Sequence, residues 1–292
     1  MKVLVLGASG MLGSAIFRIL FVAENLQVIG SLRSNSYRKH FPASMQQSLY
    51  SGVDVKCMDD LAEFIADQRP DVIINCIGLV KQLPSSKDPM QAIAINSLLP
   101  HRLAYMCQLA NARLIHFSTD CVFSGSKGSY IESDLSDAED LYGKSKFLGE
   151  VSAPHAVTVR TSIIGHELES KNGLIDWFLS NSGSIKGFTK MIFSGLPTNE
   201  LAGIVRDYIL KDKSLHGVYH VSSKAISKYQ LLAIVADVYG KEIQIAPDDE
   251  VVLDRSLVST RFRELTGYSP PEWRDLVQSM YSYSQKSSAS HV

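Results

Sequence analysis

The sequence predicts an α/β fold built on a doubly wound parallel sheet, with a smaller lobe toward the C-terminus. Three observations carry that prediction. Short β-branched runs alternate with longer amphipathic segments through the first half of the chain, the pattern of repeated βαβ units. The strand runs are nearly all apolar rather than alternating, so each is expected to be covered on both faces. The first of them leads straight into a small-residue turn, Gly7-Ala8-Ser9-Gly10-Met11-Leu12-Gly13, and then into a helical segment.

In chain order the reading gives strands at 3–6, 28–31, 53–56, 72–75 and 114–118, and helices at 11–22, 61–68 and 90–109. The stripe Leu98, Leu99, Leu103 and Met106 on the last of these helices has helical spacing and is assigned to core packing. A further helix is expected to carry Tyr142 and run to about residue 152. Past Arg160 the pattern loosens into a helix at 174–180, a glycine-rich stretch at 183–195, a helix at 201–210, a strand at 217–221 and a helix at 231–239. Residues 1–162 are therefore read as a nucleotide-binding domain, with 199–226 returning to it. Segments 163–198 and 227–284 form the smaller substrate-binding lobe, and the polar end 285–292 is read as a disordered tail.

Composition narrows the ligand. With 292 residues, 45% hydrophobic and 20% charged, the chain can bury a full core. A net charge of −1 and the absence of any Lys/Arg run argue against nucleic acid or an anionic membrane as partner, which leaves a small molecule. The apolar runs are far shorter than the roughly 18 residues that suggest a membrane span, and the first residues lack the series of a secretory signal, so a cytoplasmic protein is expected. Cys57, Cys76, Cys107 and Cys121 are scattered without C-x-x-C spacing and read as buried reduced thiols. No clustered Cys/His set points to a metal.

The glycine turn lies between the first strand and the first helix, where small residues let backbone amides approach a pyrophosphate; Gly7, Ser9, Gly10, Met11 and Leu12 are its contact candidates. In a Rossmann-type fold the residue ending the second strand selects the cofactor, because a carboxylate there pairs with a ribose 2′-hydroxyl whereas arginine accommodates a 2′-phosphate. Here the run is Gly30-Ser31-Leu32-Arg33-Ser34, without an acid, so NADP(H) is favoured over NAD, with Arg33 and Ser34 at the phosphate.

Tyr142 and Lys146 stand four apart on a helical segment and so share a face. Thr119 ends the strand before them, at the sheet edge where open α/β folds bind ligands. Reducing a carbonyl needs a hydride and a proton for the developing alkoxide. A phenol supplies that proton, a neighbouring ammonium stabilises its phenolate and brings its pKa down from near ~10, and a hydroxyl hydrogen-bonds the substrate oxygen.

These residues resemble the extended short-chain dehydrogenase/reductase family, and within it the dTDP-4-dehydrorhamnose reductases. The match runs from the Gly7 turn through Arg69-Pro70-Asp71-Val72-Ile73-Ile74-Asn75, Ile95-Asn96, Ser118-Thr119-Asp120-Cys121-Val122-Phe123, Tyr142 to Lys146, Arg160-Thr161-Ser162 and Gly195-Leu196-Pro197-Thr198. The resemblance implies that Thr119, Tyr142 and Lys146 are catalytic and that Asn96 orders the site. It also implies that Asp54-Val55, closing the third strand, grips the adenine, and that Cys76, Ile77, Gly78, Ser118, Ser162 and Ile163 line the nicotinamide side. The substrate implied is a nucleotide-linked keto-deoxysugar used for surface polysaccharide precursors, with Lys81, Asp120, Val122, Phe123, His166, Asn172, Lys190 and Arg255 as contact candidates. A homodimer is compatible with it.

Several departures bear on the substrate. Asp120-Cys121 stands where sugar-nucleotide 4,6-dehydratases carry Asp-Glu, which argues against elimination. Phe193-Ser194 and Asp254-Arg255 replace the Asp-Gln and Arg-Pro usual in rhamnose reductases, and no proline precedes Tyr142 closely. Arg255, Arg261, Lys186 and Lys190 are candidates to pair with a substrate diphosphate, since a guanidinium suits bidentate recognition. His116 and His220 interrupt apolar strands and are read as core residues. Two other functions stand beside this one: a nucleotide-sugar epimerase using the same residues, and a non-catalytic NADP-binding regulatory subunit, against which the intact Thr119, Tyr142 and Lys146 argue.

Overall fold

The computed structural model describes residues 1–80 and 87–289. Its first half runs β1 (Lys2–Leu6), α1 (Met11–Phe21), β2 (Gln27–Leu32), α2 (Ala43–Gln46), β3 (Leu49–Ser51), α3 (Met58–Gln68), β4 (Val72–Asn75), α4 (Pro89–Ala92), α5 (Leu99–Leu109), β5 (Arg113–Thr119), α6 (Leu141–Leu148) and β6 (Ala156–Thr161). The second half runs β7 (Ile163–Ile164), α7 (Leu174–Ser180), β8 (Ser184–Phe188), β9 (Met191–Phe193), β10 (Leu196–Pro197), α8 (Thr198–Ile204), β11 (Gly217–His220), β12 (Ile226–Ser227), α9 (Lys228–Tyr239), β13 (Gln244–Asp248), β14 (Leu253–Asp254), α10 (Thr260–Thr266) and α11 (Trp273–Ala289).

Seven strands form one parallel sheet in the order β11-β6-β5-β4-β1-β2-β3. Because side chains alternate along a strand, Val3 and Val5 of β1 enter the core shared with Phe17 of α1 and Leu201 of α8, while Leu4 and Leu6 enter the core under α3 and α5. Both faces are buried, which is why the strand runs lack polar alternation. The chain winds outward from β1 in both directions, through β2 and β3 on one side and β4, β5 and β6 on the other. The crevice at the carboxyl ends of β1 and β4 is therefore the topological switch point, where open sheets take ligands.

Several local readings are corrected. The third strand is Leu49–Ser51, not 53–56, because Asp54 Oδ1 accepts from its own Lys56 N at 2.9 Å and folds that segment into a turn before α3. The long helix is continuous but takes a π turn at Ile93–Leu98, and the added residue shifts its face. Leu98 is thereby 45% exposed, and the buried stripe is Leu99, Leu103 and Cys107. Helix α6 ends at Leu148, and its C-cap Gly149 packs so close to the π turn that a Cβ there would come within 1.9 Å of Asn96 O. The glycine-rich stretch contains β8 and β9. Helix α11 continues to Ala289, through residues assigned to a tail, anchored by buried Leu276, Val277 and Met280. Of the four thiols only Cys107 is fully buried; the others are half-buried, and all are free.

Candidate active site

The glycine turn closes on itself at the switch point. Gly7 takes φ +83°, a region that costs a side chain strain, and its carbonyl accepts from Gly10 N at 3.0 Å. A Cβ on Gly13 would lie 2.1 Å from that same carbonyl, so helix and strand approach as only glycine allows. Gly10 caps α1, and a Cβ there would meet only Gly7 O, at 3.5 Å, on the open side of the turn. The first-turn amides, Met11 and Leu12 among them, have no partner within the helix by its geometry. This cradle fits a pyrophosphate, which takes such amides and the helix dipole. Gly7 N and Ala8 N donate to Ser31 Oγ at 3.1 Å and Ser31 O at 2.8 Å, which ties the turn to β2. Beyond Ser31, Arg33 is exposed and free of hydrogen bonds and ion pairs among the described residues. Ser34 accepts from Ser36 N at 3.3 Å and opens a 3₁₀ turn. Asp54 is exposed and bonded locally, and Val55 packs against the α3 core.

On the other side of the switch point the segment after β4 is pinned by two buried amides. Asn75 Oδ1 accepts from Ile77 N at 3.1 Å, and Asn96 Oδ1 accepts from Leu79 N at 2.9 Å. Asn96 Nδ2 also reaches Ser145 Oγ at 3.2 Å, so the π turn joins α6 to the segment after β4 that carries Cys76, Ile77 and Gly78. A Cβ on Gly78 would lie 3.8 Å from Lys146 Nζ.

Thr119, Tyr142 and Lys146 converge on the carboxyl end of β5. Asp140 caps α6 through Gly143 N at 2.7 Å and sets the helix that carries both residues. Thr119 Oγ1 accepts from Cys121 N and donates to Asp120 Oδ1, both at 3.1 Å. Burial pushes the Tyr142 phenol above its usual range, with Cys121, Asp120 and Asp140 adding to the effect and Thr119 opposing it. The expected pairing with the ammonium differs: Lys146 Nζ donates to Phe117 O at 2.6 Å instead. Burial brings that ammonium down to about 8, while Glu150 and Cys76 hold it up. Burial also raises the Asp120 carboxyl against hydrogen bonds from Thr119, Cys121 and Ser162 and the charge of Arg255.

Other candidates are used elsewhere. Ser118 Oγ donates to Glu150 Oε1 at 2.7 Å, inside the buried Arg160–Glu150 pair, whose Nη2–Oε2 distance is 2.6 Å. Val122 and Phe123 are fully buried with Tyr130 and Leu257, so neither offers surface to a substrate; the sequence showed apolar type but not which way it faced. His166 spends both nitrogens, on Asp176 Oδ1 at 2.6 Å and the Tyr239 hydroxyl at 2.9 Å. Asn172 is exposed, and its backbone N donates to Glu167 Oε2 at 2.7 Å. Lys190 and Lys186 pair with Asp249 and Asp248, and Arg261 lies over the Tyr219 ring. Lys81 lies outside the described residues. His116 and His220 are fully buried, and Ser162 and Ile163 are half-buried beside β10. Arg255 faces the centre, with Nη1 3.7 Å from Cys121 Sγ. Lys228, not singled out from the sequence, is a half-buried cation in the first turn of α9; its one signal was a cation at a helix start.

With this geometry in hand, comparison with known proteins is informative. The profile of the family described as RmlD substrate binding domain matches residues 1–285. The probable low-salt glycan biosynthesis reductase Agl14 of Haloferax volcanii is 27% identical over 271 residues, spanning 89% of this chain and 85% of that protein. The methionine adenosyltransferase 2 subunit beta of Rattus norvegicus is 27% identical over 260 residues, spanning 82% and 72%. A hypothetical dTDP-4-dehydrorhamnose reductase from Sulfolobus tokodaii superposes with a TM-score of 0.77 at 26% identity, covering 94% of this chain and 98% of that one. The dTDP-4-dehydrorhamnose reductase of Bacillus anthracis, solved in complex with NADP, shares the fold at a TM-score of 0.78 and 21% identity, covering 97% and 99%.

Proposed function

We propose a function on one premise: this chain belongs to the RmlD substrate binding domain family, and with it to the extended short-chain dehydrogenase/reductases. The reaction is reduction of a keto group on a nucleotide-activated deoxysugar by NADPH, in the supply of surface polysaccharide precursors. The observation that carries this reading is the convergence of the Thr119 hydroxyl, the Tyr142 phenol and the Lys146 ammonium beside the glycine turn.

When bound, NADPH supplies the hydride. Gly7, Ser9, Gly10, Met11 and Leu12 hold its pyrophosphate, and Arg33 with Ser34 takes the 2′-phosphate. Tyr142 is the proton donor: burial keeps the phenol protonated until an alkoxide develops on the substrate oxygen, and the proton then passes from Tyr142 Oη to that oxygen. Thr119 donates to the same oxygen once its hydroxyl turns from Asp120 Oδ1. Lys146 orients the nicotinamide ribose and contributes positive charge.

The test is incubation with NADPH and a panel of nucleotide 4-keto-6-deoxysugars, following loss of NADPH absorbance and the reduced product. Consumption with one member supports the reading, and binding of NADPH without consumption across the panel rejects it. The relationship to methionine adenosyltransferase 2 subunit beta favours a second reading, a non-catalytic NADP-binding regulatory subunit. Under it, NADPH binds without turnover, and Tyr142→Phe leaves that binding unchanged. An epimerase is told apart by interconversion of sugars without net NADPH loss.

A further inference from the structure

Behind the candidate centre lies a buried ion pair that the reaction above leaves unused. The Arg160 and Glu150 side chains are 5% and 6% exposed. Their contact is bidentate, with Arg160 Nε donating to Glu150 Oε1 at 2.7 Å and Nη2 to Oε2 at 2.6 Å. Ser118 Oγ adds a third bond to Oε1 at 2.7 Å. On its other flank the guanidinium lies over the Phe123 ring, and Nη1 meets His220 Nε2 at 3.3 Å. Burial and Arg160 hold that imidazole down at about 4, so it is neutral and the counter-charge of Arg160 is Glu150. Burying two charges is costly, and well-packed apolar residues often serve stability as well.

The placement of the pair gives it a use. Glu150 follows Lys146 by four residues across the end of α6, where Gly149 N and Glu150 N donate to Lys146 O and Phe147 O, both at 3.1 Å. The two side chains reach β5 at consecutive residues: Lys146 Nζ donates to Phe117 O at 2.6 Å, and Glu150 accepts from Ser118. Adjacent Cα atoms lie ~3.8 Å apart, so ammonium and carboxylate are neighbours in a water-poor interior, where charge acts strongly over such distances. Because Arg160 and Ser118 hold the carboxylate, Lys146 takes a carbonyl. The other titratable groups about Lys146 are Tyr142 one turn back on α6, Cys76 after β4 and His116 on β5. Burial pushes the phenol and the thiol up and the imidazole down, which leaves all three neutral near pH 7.

We propose that Glu150 is a positioning residue that keeps charge on Lys146, with Arg160 as the counterweight that limits its hold. This deepens the reductase reading above and rests on it. The two halves of the pair then act on Lys146 with opposite sign. Glu150→Gln keeps the side-chain shape but leaves an unbalanced buried cation behind the ammonium, which favours loss of its proton. Arg160→Met leaves the carboxylate unbalanced instead, which favours retention. A pair that only braced the fold would behave otherwise: loss of either half would admit water and relieve the desolvation of Lys146, moving it upward in both variants.

The experiment is a carbon-13 NMR pH titration of the full chain labelled at lysine Cε, with the Lys146 resonance identified by its loss in Lys146→Arg. In the unmodified protein its midpoint should lie at about 8. Glu150→Gln should lower that midpoint by about one pH unit and Arg160→Met raise it by about one, the scale of a single nearby charge. The Glu150→Gln, Arg160→Met double variant should return close to the unmodified value. A midpoint that stays fixed or rises in Glu150→Gln overturns the proposal. Should Arg160→Met not fold, the double variant decides the second half: a fall in Glu150→Gln that it does not reverse overturns the counterweight. The titration uses no substrate, so absence of turnover across the sugar panel rejects the reductase reading without moving these midpoints. With turnover, the alkaline limb of kcat/KM should shift with the midpoint, and a limb that stays fixed in Glu150→Gln removes the pair from the reaction.

Discussion

If Lys146 contributes its charge to binding and reduction, the rate must follow its protonation. Burial brings the ammonium from 10.5 to about 8, so at pH 9 only about a tenth of the protein retains the charge, against nearly all of it for an unshifted lysine near ~10.4. The quantity to measure is kcat/KM under limiting NADPH, which reports groups on the free enzyme. It should fall about tenfold between pH 7 and 9 and about tenfold again by pH 10. Lys146→Arg keeps its charge over this range and should remove the alkaline break. The refuting result is a profile for the unmodified protein that stays level through pH 9.5. The same shift acts on stability with its own sign: the folded value lies below the unfolded one, so charged Lys146 opposes folding below about pH 8, and that cost is relieved as pH rises toward 10.5. A urea-midpoint series across this window, compared with Lys146→Met, isolates that contribution.

Further outcomes follow from other parts of the site. Tyr142→Phe should lower kcat by about 10²–10⁴-fold, the scale of general acid catalysis, with NADPH affinity unchanged by fluorescence titration; full turnover would remove the phenol as proton donor. Arg33→Ala should weaken NADPH by about 10- to 150-fold, as loss of a hydrogen bond to a charged group implies, and leave NADH within about twofold. Equal weakening of both would end the 2′-phosphate assignment. Arg160→Met strands the buried Glu150 carboxylate that it now meets at 2.6 Å, and should cost about 3–5 kcal/mol by urea unfolding. The Arg160→Met, Glu150→Gln double variant should recover much of that, and no recovery would show that the cost lies in packing against Phe123 instead.

The parts of this protein legible in its sequence are those set by near neighbours in the chain. The parallel sheet follows from uninterrupted apolar runs, the nucleotide turn from Gly7, Gly10 and Gly13 lying between the first strand and helix, and the shared face of Tyr142 and Lys146 from helical spacing. The misplaced third strand and the shifted face of the long helix arose where a local device, an Asx turn at Asp54 and a π turn at Ile93–Leu98, altered the period within a few residues. Tertiary contact decided the rest. Phe123 O meets Arg255 132 residues away, His166 meets Tyr239 73 residues away, and Lys146 turns to Phe117 O across 29 residues. Residue type shows that a group can bear charge or bury. Which cation faces the centre, which histidine is spent on a tyrosine and which aromatic is sealed in the interior depend on pairs far apart in the chain, and periodicity within one segment carries no information about such pairs.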